Sequence, residues 1–574
     1  MPSNYIGLAT SAHDPALAIV NSKGEVVFAE STERYIQNKR AWCTPPEDLI
    51  RIKILLEEYC EKNSDLVIAT TWTNKSIYYY KLLFLNPLTK YFFKLVSSKS
   101  SQNQLNHLIS MLVSAFNPHA GETTAYQKSL INPHVKILKK AYNHHLTHAA
   151  SACYSSPFKE AVCMILDGIG EGISTSCYIY RNGKIELIKQ KKARVASLGF
   201  FYSNLCDTCG FEHVKGEEWK VMGLAAYGKF DEDLYKIMRL FLTVKDGVLV
   251  NGKDPKLAYR KFKEMRRKPD ESPLKAANLA FTGQVFYNDI VIELLRHLYD
   301  RKISENLILG GGCALNSSCN GILLDNIPFK NLHIYSAPAD DGNAIGAALL
   351  AYYDDHPPQT SPAQFQTPYL GAKMSPKIME HLNTYSHLKR LDISAESIPQ
   401  KTAELLAAGK IVGWVQGRAE FGPRALGNRS ILADPRSPDV KERLNATVKF
   451  REEFRPFAPS ILHEHGHEYF ENYQETPYME RTLRFKKEMI GKVPGVVHVD
   501  GTGRLQTVKK EWNPKYHALI SAFKEITGIP VVLNTSFNVM GKPIIHSVED
   551  AVAVFLTSGL DALVIEDHLY LKEN

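Results

Sequence analysis

At 574 residues the chain is too long for one hydrophobic core and fits two or three domains. Its 44% hydrophobic and 23% charged residues are ordinary for a soluble globular protein. A net charge of +8 is modest for this length, which argues for a local anion site and against a surface coated for nucleic acid. No run is long and apolar enough to span a bilayer. The nearest, Ser76 to Val96, is interrupted by Lys81, Asn86, Pro87 and Lys90 and reads as an aromatic helix pair or a pocket wall. No basic region followed by an apolar core opens the chain, so a cytoplasmic location is expected. The nine cysteines lack regular spacing and point to reduced thiols. Cys206 and Cys209 form a lone C-x-x-C without the second pair of a zinc ribbon, which favours ordinary packing.

The N-terminal part contains one pattern twice. Residues 6–31 read as a strand, a polar turn at Ser11 to Asp14, a second strand, a Lys23-Gly24 turn and a third strand. Residues 161–188 repeat it, with an acidic glycine turn at Asp167 to Gly172 and an Asn182-Gly183 hairpin. Two copies imply duplicated lobes, each aiming a polar loop at a shared cleft suited to a nucleotide. Between them lies AYNHHLTHAASA, read as a helix, in which His144 and His148 stand at i and i+4 on one face. They fit either a shared metal or a pair of satisfied surface histidines. With Asp167 and Asp340, at loop positions of the same domain, they would complete a two-His, two-carboxylate site for iron(II), manganese or zinc. Two more loops follow. Leu307 to Ser318 carries Gly310, Gly311 and Gly312 between a strand and a helix, where exposed N–H groups suit a phosphate or ribose. Asp340 and Asp341 then cap an apolar helix.

Residues 354–368 are rich in Pro, Gln and Ser with no hydrophobic period. The boundary falls there, giving a first domain at 1–355, a linker at 356–368 and a second domain at 369–574. The second domain concentrates arginine. Arg418, Arg424, Arg429, Arg436, Lys449, Arg451 and Arg455 crowd into Gly413 to Arg436 and Lys449 to Ser460, interleaved with Phe421, Leu426, Phe454 and Phe457. Glycines and prolines break helix and strand throughout, so the guanidinium groups converge on loops. A solvated basic face would normally be a Lys-rich helix, whereas Arg offers a fixed fork of donors for carboxylate and phosphate oxygens. Arg429 and Arg436 have a structural alternative, since arginine often ties loops together through backbone carbonyls. The last polar loop, Asn534 to Asn538, ends an apolar strand.

Taken together, His13-Asp14-Pro15, HHLTHAASA, DGIGEG, WKVMGLAAYG, GGGCALN, EFGPRALGNRSILADPR, KFREEFRPFAP, DGTGRLQTV and NTSFN resemble the ATP-dependent O-carbamoyltransferases, the family of the nodulation-factor, cephamycin and tobramycin carbamoylating enzymes. The resemblance implies an α/β protein: a duplicated actin-like (ASKHA) domain of the threonylcarbamoyl-transferase type, followed by a YrdC-like α/β domain. It implies that the second domain converts carbamoyl phosphate and ATP, with Mg2+, to carbamoyl-adenylate, and that the first passes the carbamoyl group to a hydroxyl. His144, His148, Asp167 and Asp340 match the metal ligands, for which iron(II) is the leading candidate, and His13 matches a histidine beside the transferred group. The resemblance further implies that Lys220, Gly223, Gly310, Gly311, Gly312 and Asn316 hold the nucleotide. Arg418, Arg424, Lys449, Arg451, Arg455 and Arg504 would hold carbamoyl phosphate or the triphosphate, with Lys449 and Arg455 catalytic. Asn534, Ser536 and Asn538 would bond small polar groups. Consecutive acids common in the family before Glu33-Arg34 are replaced by Ser31 and Thr32.

Three other readings compete: a tRNA threonylcarbamoyl transferase, a hydrogenase-maturation carbamoyl carrier, and a non-enzymatic actin-like nucleotide switch. The first would need a basic RNA face, the second paired C-x-x-C elements, and the third no His pair. The expected partner is a small hydroxylated molecule, with no nucleic acid and no membrane; a homodimer is left open. A guanidinium natural product of saxitoxin type is one candidate acceptor, beside an aminoglycoside, a sugar or a polyketide alcohol.

Overall fold

The computed structural model describes residues 2–73, 119–192, 196–357, 365–375, 382, 388–452 and 454–572. The aromatic segment from Ser76 to Val96 lies outside the described residues, as does most of the linker. Packing groups the chain into two units. One comprises Met1–Gly199, Lys302–Ala314 and Phe329–Gln366; the other comprises Phe200–Arg301, Leu315–Pro328 and Thr367–Asn574.

The first unit holds two sheets. β1 (Ser3–Ala9), β2 (Ala16–Val20), β3 (Val26–Ser31), β4 (Asp65–Thr70) and β5 (Ile137–Ala141) run in the order β3-β2-β1-β4-β5. The first three strands are antiparallel, while β4 and β5 continue the sheet in parallel. β6 (Glu160–Gly170), β7 (Ile173–Arg181) and β8 (Lys184–Lys192) begin the second sheet. After a ribbon of β9 (Leu242–Lys245) and β10 (Val248–Asn251) in the other unit, β11 (Asn306–Gly310) and β12 (Asn331–His333) complete it in the order β12-β11-β6-β7-β8. Its pairings repeat those of the first: β6-β7 and β7-β8 antiparallel, β6-β11 and β11-β12 parallel. The repeat read from the sequence is thus a duplicated strand topology, the actin-like architecture.

Central β1 is an apolar run, buried from Asn4 to Ala9, as a strand covered on both faces must be. The helices Asn343–Asp355 and His144–Tyr154 pack against each other through small residues. A Cβ on Gly346 would lie 1.9 Å from the Thr147 carbonyl oxygen, so only glycine allows this approach. That contact brings the start of one helix beside the histidines of the other.

The second unit is built on a nine-stranded mixed sheet. Its strands are β13 (Leu388–Leu391), β14 (Val412–Val415), β15 (Arg429–Ala433), β16 (Ala458–Leu462), β17 (Arg481–Arg484), β18 (Thr502–Val508), β19 (Val531–Ser536), β20 (Ala562–Ile565) and β21 (His568–Lys572). They run in the order β13-β21-β20-β14-β15-β19-β16-β18-β17, with β14-β20 and β16-β18 the parallel pairs. Trp414, Leu432, Val532, Phe523 and Leu563 form its core with the helices Ile398–Ala407 and Pro514–Thr527. The helix Ser317–Asn326 packs on β17, where Asn320 Nδ2 donates to the Glu480 carbonyl at 2.9 Å. No helix among the described residues is long and apolar enough to cross a membrane.

Candidate functional sites

In the first unit, the helix His144–Tyr154 opens on Asn143, whose side chain accepts from the Leu146 N–H at 3.1 Å. One turn apart, His144 and His148 bring their Nε2 atoms within 3.2 Å. Asp167 sits where the β6-β7 ladder shifts register between Leu166 and Gly170, and its Oδ2 lies 3.5 Å from His144 Nε2. Asp340, in the turn before the helix Asn343–Asp355, places Oδ1 at 3.5 Å from His144 Nε2 and 3.3 Å from His148 Nε2. One ligand atom from each of these four buried residues lies within 4.8 Å of all the others. The sequence set is therefore brought together as proposed for a metal.

Several contacts fix the His144 ring. Trp72 lies against it at 4.8 Å between centroids, and a Cβ on Gly170 would come within 2.0 Å of its Cδ2. Burial disfavours charge on His144, but Asp340 and Asp167 outweigh it and raise the group to about 10. The carboxylates thus demand positive charge here. His145 faces elsewhere: its Nδ1 meets Ser176 Oγ at 2.8 Å, and burial pulls it down to about 3. From the glycine loop, the Gly312 N–H reaches Asp167 Oδ1 at 3.4 Å, and the Gly311 N–H donates to the Pro338 carbonyl at 2.9 Å.

His13 sits on the polar turn of the first repeat. Its Nδ1 meets Asp14 Oδ2 at 2.8 Å and Arg40 Nη2 at 2.9 Å, and its ring packs edge-on against Trp42 at 5.1 Å. His13 Nδ1 thus stands between a carboxylate, which accepts, and a guanidinium, which only donates. Glu33 accepts from the Arg40 N–H at 2.7 Å. Ser31 Oγ donates to Asp341 Oδ2 at 3.2 Å. Burial, with Asp14 nearby, pushes Asp341 up to about 7. Sequence reasoning did not select Arg40, Trp42 or Asp341 for the site. Asp14, Arg40, Ala41 and Cys43 take positive φ there, and no sequence signal reveals it.

In the second unit four arginines converge. Arg424 lies between β14 and β15, Arg451 and Arg455 lie between residues 445–449 and β16, and Arg504 is on β18. Burial depresses Arg504 well below its usual range, and Arg424, Arg451 and Arg455 repel it further. The same burial pulls Arg451 to about 9 and Arg424 and Arg455 to about 10. Among the described residues no carboxylate lies in ion-pair distance of Arg424, Arg451 or Arg504. Nε of Arg455 and of Arg504 is buried without a hydrogen-bond partner. Such a cluster calls for an anion. Lys449 Nζ donates to Ser536 O, to Asn538 Oδ1 at 2.8 Å and to the Asn538 carbonyl at 3.0 Å.

Other candidates are engaged elsewhere. Arg418 donates to the Leu370 and Gly371 carbonyls. Arg429, fully buried, donates to the carbonyls of Gln416, Gly417, Asn428 and Ala372, and Arg436 pairs with Asp434 at 2.6 Å. Asn534 Nδ2 donates to Ser460 Oγ, Gln506 Oε1 and the Ala425 carbonyl. The nucleotide set is divided between the two units. Gly310 to Gly312 belong to the first, whereas Lys220, Gly223 and Asn316 belong to the second. There Asn316 caps its helix by accepting from Cys319 N at 3.0 Å and exchanges hydrogen bonds with Gln284. Cys206 and Cys209 are buried free thiols.

Two family models match this chain, the carbamoyltransferase N-terminus over residues 4–349 and the carbamoyltransferase C-terminus over residues 403–572. The chain belongs to the carbamoyltransferase family. Nodulation protein NolO of Bradyrhizobium diazoefficiens is 38% identical over 441 residues, 75% of this chain and 79% of that protein. Nodulation protein NolNO of Sinorhizobium fredii is 36% identical over 446 residues, covering 75% and 63%. MJ1058 of Methanocaldococcus jannaschii, itself uncharacterized, is 34% identical over 458 residues, covering 76% and 75%. Among solved structures, full-length HypF in its phosphate- and nucleotide-bound form aligns with a TM-score of 0.26 at 15% identity, over 45% of this chain and 42% of that one. Component A of the Acidaminococcus fermentans (R)-2-hydroxyglutaryl-CoA dehydratase gives 0.32 at 10% identity, over 62% and 99%. As a carbamoyltransferase the protein is an enzyme that transfers a carbamoyl group, and its motifs from His13 to Asp340 and from Arg418 to Asn538 fall within the two matched regions.

Proposed function

We propose that this carbamoyltransferase is ATP-dependent, taking the carbamoyl group of carbamoyl phosphate, as carbamoyl-adenylate, to a hydroxyl of a small natural product. The cluster of Arg424, Arg451, Arg455 and Arg504 carries this reading, because among the described residues only Arg455 has a carboxylate in ion-pair distance, Glu452 at 3.4 Å, and two of the cluster's Nε donors lack acceptors. A small, multiply charged phosphate anion meets both demands. Activation balances as carbamoyl phosphate, ATP and water giving carbamoyl-adenylate, phosphate and pyrophosphate. The arginines and Lys449 oppose the charge on the phosphate oxygens, and Mg2+ accompanies the ATP.

Transfer belongs to the first unit in this reading. The acceptor oxygen attacks the carbamoyl carbon, AMP leaves with the electron pair of the broken bond, and His13 Nε2 takes the hydroxyl proton. The donor set His144, His148, Asp167 and Asp340 fits a divalent cation, since two Nε2 atoms 3.2 Å apart cannot each hold a proton toward the other. Iron(II) is the leading choice, with manganese or zinc as alternatives. Bound there, such an ion supplies positive charge to the nucleotide phosphate and the developing oxyanion. A cytoplasmic enzyme acting on a guanidinium acceptor of saxitoxin type is the most specific form of the proposal.

Purified protein given ATP and carbamoyl phosphate should release pyrophosphate only when both are present. Mass spectrometry of reactions with a panel of hydroxylated metabolites should then find one whose mass rises by a carbamoyl group. Pyrophosphate release independent of carbamoyl phosphate would overturn the proposal.

A further inference from the structure

The helix Glu218–Ala225 carries the WKVMGLAAYG motif, whose Lys220 and Gly223 were expected at a nucleotide. Within the second unit this helix instead packs against the loop that bears Arg451 and Arg455. Lys220 Nζ bridges Glu217 Oε1 at 2.8 Å and Glu452 Oε1 at 2.7 Å. A Cβ on Gly223 would sit 3.5 Å from Pro456 Cδ, ordinary contact distance, so this glycine faces the loop. Phe211 adds a tilted ring contact with Phe454 at 6.1 Å. The indole of Trp219 lies beneath Arg455, with Cζ 3.8 Å from the ring centroid, the shortest such approach among the described residues.

Arg455 needs that support. Like-charged Arg451 and Arg504 crowd it, and its Nε has no partner. The nearest carboxylate, Glu452 Oε2, stands 3.4 Å from Nη1, with its other oxygen already taken by Lys220. A long cationic side chain so placed gains by swinging into solvent, unless a flat, electron-rich face holds its plane. We propose that Trp219 is a positioning residue of the arginine site: its indole face fixes the Arg455 guanidinium so that the fork meets an anion together with Arg424, Arg451 and Arg504. A residue of the N-terminal carbamoyltransferase region thereby completes a site carried by the C-terminal region. The identity of the anion as carbamoyl phosphate rests on the function proposed above.

The test is calorimetric titration of the full chain with carbamoyl phosphate and, separately, with inorganic pyrophosphate. Trp219→Phe keeps a π face and should bind within about twofold of the unsubstituted protein, whereas Trp219→Leu keeps apolar bulk without that face and should bind about tenfold more weakly. A merely structural tryptophan would make the two variants alike, so equal affinities for Phe and Leu overturn the inference. Binding of pyrophosphate but not carbamoyl phosphate would sink the functional reading while the same two variants still judge Trp219. If neither anion binds the unsubstituted protein, both proposals fall.

Discussion

The His144 and His148 rings owe their meeting to one helical turn, but their value as ligands depends on two carboxylates that arrive from distant segments. Asp167 and Asp340 place oxygens 3.3 to 3.5 Å from the two Nε2 atoms, close enough that one cation satisfies all four. Removing one imidazole leaves three donors and an opened shell. His148→Ala should therefore lose most of its metal when purified beside the unsubstituted protein, as measured by inductively coupled plasma mass spectrometry; unchanged occupancy would disprove the assignment. At this scale the sequence was legible where chemistry repeats along the chain. The i, i+4 histidines announce themselves, and so do the arginines among glycines and prolines. It was illegible where a role depends on a spatial neighbour: Arg418 and Arg424 look alike in sequence, yet one donates to two carbonyls and the other joins the cationic cluster.

At the scale of elements, the site depends on how closely two helices approach. Gly346 faces the Thr147 carbonyl with no room for a methyl group, so Gly346→Leu must part the helix that carries the histidines from the helix that follows Asp340. The expected cost is about 2–3 kcal/mol of overpacking strain, read as a lower midpoint in urea unfolding, together with reduced metal content. Unchanged stability and metal content would mean that the helices are not held by this contact. Hairpins were the most legible elements. Asn182 and Gly183 both take the positive φ that the Asn-Gly pair foretells, at 48° and 80°. The repeated strand pattern likewise matches the duplicated sheet order. Less could be read from residues 200–301 and 315–328, which pack with the C-terminal part of the chain. Local periodicity tells a helix from a strand, but not which partner buries its apolar face.

For the whole molecule, two chemically opposite centres emerge from one chain. The first unit gathers carboxylates and imidazoles that call for a cation, and the second gathers guanidinium groups that call for an anion. A transferase that first activates and then transfers needs both; in the proposed function activation falls to the arginines and transfer to the centre that holds His13. The most direct test follows pyrophosphate and carbamoylated product together, from ATP, carbamoyl phosphate and an accepted hydroxyl compound, in the unsubstituted protein, Arg455→Ala and His13→Ala. Arg455→Ala should release no pyrophosphate and form no product, whereas His13→Ala should still release pyrophosphate while product formation falls by about 100-fold or more. Equal loss of pyrophosphate release in both variants would contradict the division of labour.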